Sequence, residues 1–438
     1  MPIELNYIDV IEQVSPATPA AGFVRCYPKS DHKLYTKDST GLEILITPHT
    51  HDGSGGATSL VIGGTSEAGA STPVASSVGS IAIGDYANAG TGTQPIAIGT
   101  GTNATSAPSA TGQGGIAIGA SNGAAVNGAR ATVIGAIAIG SGDASVAGAS
   151  ATNNDAIAIG RGSVSNQTAS IAIGQASLAQ GNSSMSVGRM STANGTAAVA
   201  LGYSTSSAGI QGITVGAFAS ASTAEAIAIG GGVNTTSAPT ATAQGAIAIG
   251  ASDASAVAGP RASGIDSIAI GSGNATNAGA SATGTDSVSI GRTSSSAANG
   301  IALGAGATSA NNGAIAVGIG STAGTGVNTD AVALGSAASA TGLQGTAIGS
   351  RSSASQPQAI AIGNGTNATS AAAASAQGGI AIGGSNASGV TGARASGASS
   401  IAIGSGDATN AGASATAADG IAMGRLSSAI ATNAVGIG

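Results

Sequence analysis

From residue 58 onward the hydrophobic pattern of the chain is one pentad that returns 23 times, of the form Ser-Ile-Ala-Ile-Gly, with the first copy ending at Gly63 and the last at Gly438. The fourth position is Ile, Val, Leu or Met in every copy, and the second is one of these in all but one, where Thr346 stands. The middle position is Ala, Ser, Thr or Gly in all but the first copy, which has Val61. Large, small, large is a period of two, so each pentad is expected to be a short strand with both aliphatic side chains on one face. The closing glycine gives positive φ or room at a tight corner without a Cβ penalty.

The spacing of those glycines sets the architecture. The shortest common period is 14 residues, as in the run Gly160, Gly174, Gly188, Gly202, Gly216 and Gly230, and the longer ones are mostly 20 or 21. Fourteen residues suffice for one coil of a β-solenoid: strand, turn, strand, turn. The extra six or seven residues of the longer coils must leave as loops. The triplet 20, 21, 20 recurs at 99–160, 230–291 and 363–424, and its loop sequences GTNATSAPSATGQGG, GVNTTSAPTATAQGA and GTNATSAAAASAQGG are versions of one another. The solenoid, residues 58–438, therefore grew by duplication of an eight-coil block, with blocks starting near 96, 227 and 360. At roughly 4.8 Å per coil, 23 coils make a rod of about 110 Å.

A 14-residue coil encloses few side chains, expected to be chiefly the two pentad aliphatics and small residues of the opposing strand. Burying an Ile contributes about 1.5–3 kcal/mol, while ordering each residue costs about 1–2 kcal/mol of backbone entropy. A single roll is thus marginal, and association that buries a further face relieves it. The small middle residue permits close approach of another surface, and closed three-fold symmetry gives a finite fibre. Which pentad face meets the roll's interior and which the three-fold axis stays open at this point.

The pentads SIAIG (80–84, 170–174, 267–271, 400–404) and AIAIG (136–140, 226–230, 246–250) at this spacing resemble the head repeats of trimeric autotransporter adhesins. That resemblance implies an all-β, left-handed parallel β-roll in a homotrimer. It covers residues 58–438 and leaves out a neck, a coiled-coil stalk and a membrane barrel. The amino terminus, MPIELNYIDVIEQ, has neither a basic n-region nor an apolar h-region, so no secretory signal is read there.

Residues 1–57 are of another kind. All three Lys (29, 33, 37), all three His (32, 49, 51), the single cysteine Cys26 and four of the seven aromatics (Tyr7, Phe23, Tyr27, Tyr35) lie there. The segment 22–46 reads as strand, polar turn, strand, turn, strand and is similar to short β-meanders near the amino termini of bacteriophage virion and fibre proteins. Together these features predict a tail or head fibre assembled in the host cytoplasm, anchored to a virion tail or capsid protein through residues 1–57 and supporting adhesion to a host-surface receptor. A trimeric bacterial surface adhesin head, binding host matrix or glycans, is the alternative. A third reading, an ice- or crystal-binding solenoid, would need regular threonine ranks, whereas Thr is scattered mainly through the loops.

Composition narrows the chemistry. The net charge is −6 and no basic stripe exists, which argues against nucleic acid. No apolar run reaches the 18 residues that would suggest membrane insertion. The solenoid has eight Arg and eleven acidic residues, no His, no Cys, no Trp and three aromatics (Tyr86, Tyr203, Phe218), so neither a paired-carboxylate cleft with sugar-stacking platforms nor any other enzyme site is visible. His49-Thr50-His51 places two imidazoles at i and i+2 on one strand face. A trimer would bring six to a common axis, enough for octahedral iron or another transition metal, as in the HxH motifs of phage fibres that it resembles; the alternative is a polar linker without metal. The repeated pairs Asp155/Arg161, Asp286/Arg292 and Asp419/Arg425 are expected to be structural ion pairs between coils or chains rather than a charged ligand surface. The last pentad stops with an open coil, which leads to the expectation of a continuing chain or a distal cap.

Overall fold

The computed structural model describes residues 25–28, 34–37, 43–46, 59–62, 73–324 and 330–438. Ahead of the repeats, β1 (Arg25–Pro28), β2 (Leu34–Lys37) and β3 (Glu43–Ile46) form an antiparallel sheet, with Cys26 opposite Thr36 and Thr36 opposite Ile44. The repeats are all-β, with parallel strands in two stacked sheets, and no described helix is long and apolar enough to cross a membrane. The chain divides into two compact units, Met1–Met190 and Ser191–Gly438, whose repeats are built alike.

In the first unit the middle three residues of each pentad form one strand, and successive strands stack in register. Ile137, Ala138 and Ile139 lie beside Ile157, Ala158 and Ile159, which lie beside Ile171, Ala172 and Ile173. Ladder bonds join the coils, the Ile157 N–H donating to Ser170 O at 2.9 Å and the Gly160 N–H to Ile139 O at 2.7 Å. The second sheet is made of two-residue companion strands, among them Arg130–Ala131, Ser150–Ala151 and Val164–Ser165. The second unit repeats the plan, with Ile227, Ile247 and Ile268 in one column of the pentad sheet and Thr240, Arg261 and Ser281 in one column of the companion sheet.

What fills a coil reverses one sequence expectation. The pentad aliphatics are not the interior. Ala138, Ala158 and Ala172 are fully buried, as are Ala131, Ala151 and Ser165 of the companion strands, while the flanking Ile137, Ile139, Ile157 and Ile159 are half-buried and point outward. The reason is the gap. Two strands joined by turns of a few residues cannot separate to the ~10 Å of ordinary stacked sheets, so only a methyl or hydroxymethyl group fits between them. Even the bulkiest fully buried side chains are of modest size, Thr205, Thr214 and Pro95 leading them.

The corners of the short coils repeat one local device. After the pentad glycine comes a variable position, then a residue with positive φ, then a small buried residue. Where the last is serine its hydroxyl closes the turn, as in Ser177 Oγ to Gly174 O at 3.0 Å and Ser352 Oγ to Gly349 O at 2.8 Å. The pentad glycine itself is doubly constrained. Gly174 has φ 127°, and a Cβ there would lie 2.4 Å from Gly188 O in the next coil. The positive-φ position is looser: Gly162, Ala176 and Thr293 all occupy it. Threonine at φ 56° is the costliest of these, because a branched Cβ crowds the backbone there.

Two substitutions should therefore move stability in opposite directions. Gly174→Ala is expected to lower the free energy of unfolding by at least about 2 kcal/mol. Thr293→Gly is expected to raise it by about 1 kcal/mol, backbone relief outweighing the added freedom of the unfolded chain. Thermal and urea unfolding of the two variants checks both signs.

Candidate functional site

Two surfaces emerge from this packing. The first is the outer face of the pentad sheet. Because a small residue takes the inside, all but one of the pentads turn two large aliphatic side chains outward, Thr346 being the exception, and parallel register stacks them into two columns within each unit. In the second unit Ile213, Ile229, Ile290, Ile348, Ile403 and Met423 are each between 36% and 45% exposed, far more open than aliphatic core residues. An apolar stripe running the length of a sheet far exceeds the isolated exposed aliphatics of a monomer surface.

The second surface is formed by the loops of the long coils, three consecutive loops in each block. Asparagine organises the first loop of each set. Asn103 Oδ1 accepts the N–H groups of Thr105 and Ser106 at 2.9 and 3.0 Å, while its Nδ2 donates to Ala124 O of the next loop at 2.8 Å. Asn234 and Asn367 make the same bridge, to Ser255 O at 3.0 Å and Ser388 O at 2.5 Å. An aspartate or asparagine caps the third loop in the same manner. Asp143 accepts Ser145 and Val146 N–H at 2.9 and 2.7 Å, Asn274 accepts Thr276 and Asn277 at 3.1 and 2.9 Å, and Asp407 accepts Thr409 and Asn410 at 2.9 and 2.7 Å. These are local side-chain turns of the kind Asp and Asn favour.

Within one chain the charged residues singled out in the sequence make contacts other than the expected pairs. Within the chain Arg161 reaches Asp143, and Arg425 reaches Asp407. Among the described residues of one chain neither Asp155 nor Asp419 pairs with these arginines. Asp155, Asp286 and Asp419 take the positive-φ turn position before a pentad, at φ 54°, 54° and 57°. The site of Asp143 and Asp407 holds Asn274 in the middle block, and there Arg292 forms no ion pair among the described residues. What the three blocks share is the cap rather than the ion pair. The capping residues missed by sequence reasoning, two aspartates and one asparagine, stand in GDAS, GDAT and GNAT, and that Asx-x-Ser/Thr spacing was a readable turn signal. His49 and His51 lie outside the described residues. Among the described residues no group of three or more His, Cys, Asp or Glu gathers.

Electrostatics follows the cap. The Asp143 carboxyl is lowered to about 2, first by the Ser145 N–H, then by the Val146 N–H and the Ser145 hydroxyl, with Arg161 a smaller cause. Asp407 lies well below the usual carboxylate range, through the N–H groups of Thr409 and Asn410, the Asn410 side chain and, less, Arg425. Both ion pairs are at the surface, with side chains 35% to 53% exposed, so each contributes at most a small fraction of the fold's stability.

The YadA head domain repeat (2 copies) matches the chain at residues 151–177, 179–205, 328–352, 340–366 and 391–406, together well under half of its length. No curated protein matches it.

Since backbone amides dominate, Arg161→Gln should leave the Asp143 carboxyl well below the ordinary carboxylate value of about 4. A depressed folded pKa means that the cap's stabilisation is present above about pH 4 and is lost as pH falls through about 2. Side-chain carboxyl NMR titration of the two proteins checks this; a return to about 4 in Arg161→Gln would make the ion pair the principal cause instead.

Proposed function

We propose that the protein is a non-enzymatic, homotrimeric, adhesin-like head, in which the pentad faces of three chains meet and the loop bands project outward. The observation that carries this reading is the outward aliphatic stripe. Covering a half-exposed Ile contributes about 1 kcal/mol per side chain, with two such side chains per coil along each unit, so a chain alone leaves a large favourable burial unused. One such face per chain, met by its own copies, is a self-complementary arrangement, and a three-fold closes it without open-ended growth. The matched head repeats, and the resemblance of the pentads to trimeric autotransporter adhesin heads, support the same reading. Adhesion to a host surface, by matrix or glycan recognition through the loops, is the function that such a rigid, loop-bearing head serves.

A second reading is favoured by the antiparallel sheet β1–β3 and by the concentration of Lys, His and aromatic residues in 1–57. In it the head is part of a phage tail or head fibre, located on the virion, with residues 1–57 bound to a tail or capsid protein and His49 and His51 from three chains holding iron or a related metal. Both readings share the trimer and the projecting loops.

Native mass spectrometry should give three times 40.0 kDa for the chain, and a monomer at micromolar concentration would contradict the proposal. Gold-labelled antibody then separates the two settings: label on the bacterial surface supports the adhesin, label on purified phage particles the fibre.

A further inference from the structure

The three loop bands are near copies, so positions where one block departs from the other two act as an internal comparison. In the second unit the middle block holds a cleft of about 370 Å³ whose lining includes Gly231, Val233, Ser252, Asp253, Ser272 and Gly273. Three of these are departures. Gly231 stands where the other blocks have Thr100 and Asn364, Val233 where they have Thr102 and Thr366, and Asp253 where they have Asn122 and Asn386.

Each change opens or charges the same spot. The Asn364 side chain accepts the Ser350 N–H at 2.7 Å, a bridge that Gly231 cannot make. Thr102 and Thr366 turn their hydroxyls onto Ser106 and Ser370 at 3.0 and 3.1 Å. Val233 offers no such bond and is instead 55% exposed, an aliphatic wall beside the cleft. Asp253 is exposed and has no hydrogen-bond or ion-pair partner among the described residues.

A fourth observation is independent of these. Ser252 is 2% exposed and lines the cleft. Its counterparts donate to the next loop, Ser121 Oγ to Asp143 O at 2.8 Å and Ser385 Oγ to Asp407 O at 3.2 Å. Ser252 makes no corresponding bond to Asn274; its Oγ only accepts the Ala254 N–H, at 3.3 Å. A buried hydroxyl proton without an acceptor is costly unless something supplies one. Ser272 Oγ accepts the Ala251 N–H at 3.2 Å and keeps its own proton to donate.

We infer that this cleft, lined by Asp253, Ser252, Ser272 and Val233, binds an uncharged saccharide unit. One carboxylate with no second acid or histidine beside it suits a pair of neighbouring hydroxyl donors better than a metal ion. The two serine hydroxyls donate to sugar oxygens, the glycines let a ring approach the backbone closely, and the Val233 methyls meet its C–H face. The negative charge disfavours acidic sugars. A trimer carries three such clefts, so a weak single site is strengthened at a multivalent surface. The inference rests on the adhesin-like reading and names its ligand class and its place.

The test uses the full chain and three probes: methyl α-mannoside, methyl β-galactoside and methyl β-N-acetylglucosaminide, followed by saturation-transfer NMR. At least one should bind the wild type, and Asp253→Asn, which installs the residue of the other two blocks, should weaken it at least tenfold with the native trimer mass unchanged. Asn122→Asp, in a block with Thr102 and Thr100 in place, should leave binding as it was. Absence of binding by all three glycosides, or binding that Asp253→Asn leaves intact, overturns the inference. A parallel host-cell adhesion assay keeps the broader reading separate: wild type and Asp253→Asn adhering equally removes the cleft and leaves the adhesin, whereas a wild-type trimer that does not adhere removes the adhesin reading itself.

Discussion

The narrow gap between the two sheets of a coil governs everything else in this molecule. With strands of three and two residues joined by short corners, the interior admits alanine or serine and little more, as Ala138, Ala151, Ala158 and Ser165 show by their complete burial. Such side chains contribute little apolar area each. The ladder of parallel hydrogen bonds therefore carries much of the order within a chain, at about 1 kcal/mol net per bond. The larger aliphatics are forced outside, where they form a stripe that only another surface can cover. Small interior and sticky exterior are two consequences of one dimension.

Much of the fold was legible in the chain. The two-residue period of the pentad, the 14-residue spacing and the excess of 20 and 21 in the long coils correspond to strands such as Ile157–Ile159 in parallel register and to loops where the extra residues leave. Which pentad face turns inward was not legible, because the period of two is blind to direction: it puts Ala158 opposite to Ile157 and Ile159 without saying which side is the interior. The gap between sheets decides that, and it is a property of the corners. Those corners hold Tyr86, Glu225 and Thr293 at positive φ, residues that carry no strong signal for that conformation.

The charged residues show the same boundary from the side of the site. Their recurrence in each block pointed to a structural role, but their partners depended on where the loops fold back. Arg161 meets Asp143 because the preceding loop returns over its corner, and the two-residue period of the strands does not contain that contact. The middle block, with Asn274 in place of the acid, retains the loop form without the ion pair, since an amide oxygen caps the same two N–H groups. Duplication thus preserved the backbone hydrogen-bond requirement and left charge free to vary. Variation at Gly231, Val233 and Asp253 falls on the same tolerant surface, where a repeated scaffold can acquire a local chemistry without disturbing its coils.

In the proposed trimer the outward pentad face is buried between chains while the companion face is not. Single cysteines in a Cys26→Ser background test this directly: one at Ile227 on the pentad face, one at Ser281 on the companion face, each challenged with a bulky maleimide under native conditions. The cysteine at 227 should be protected at least tenfold relative to the one at 281 and lose that protection when the assembly is dissociated. Equal labelling of the two positions in the native protein would contradict it.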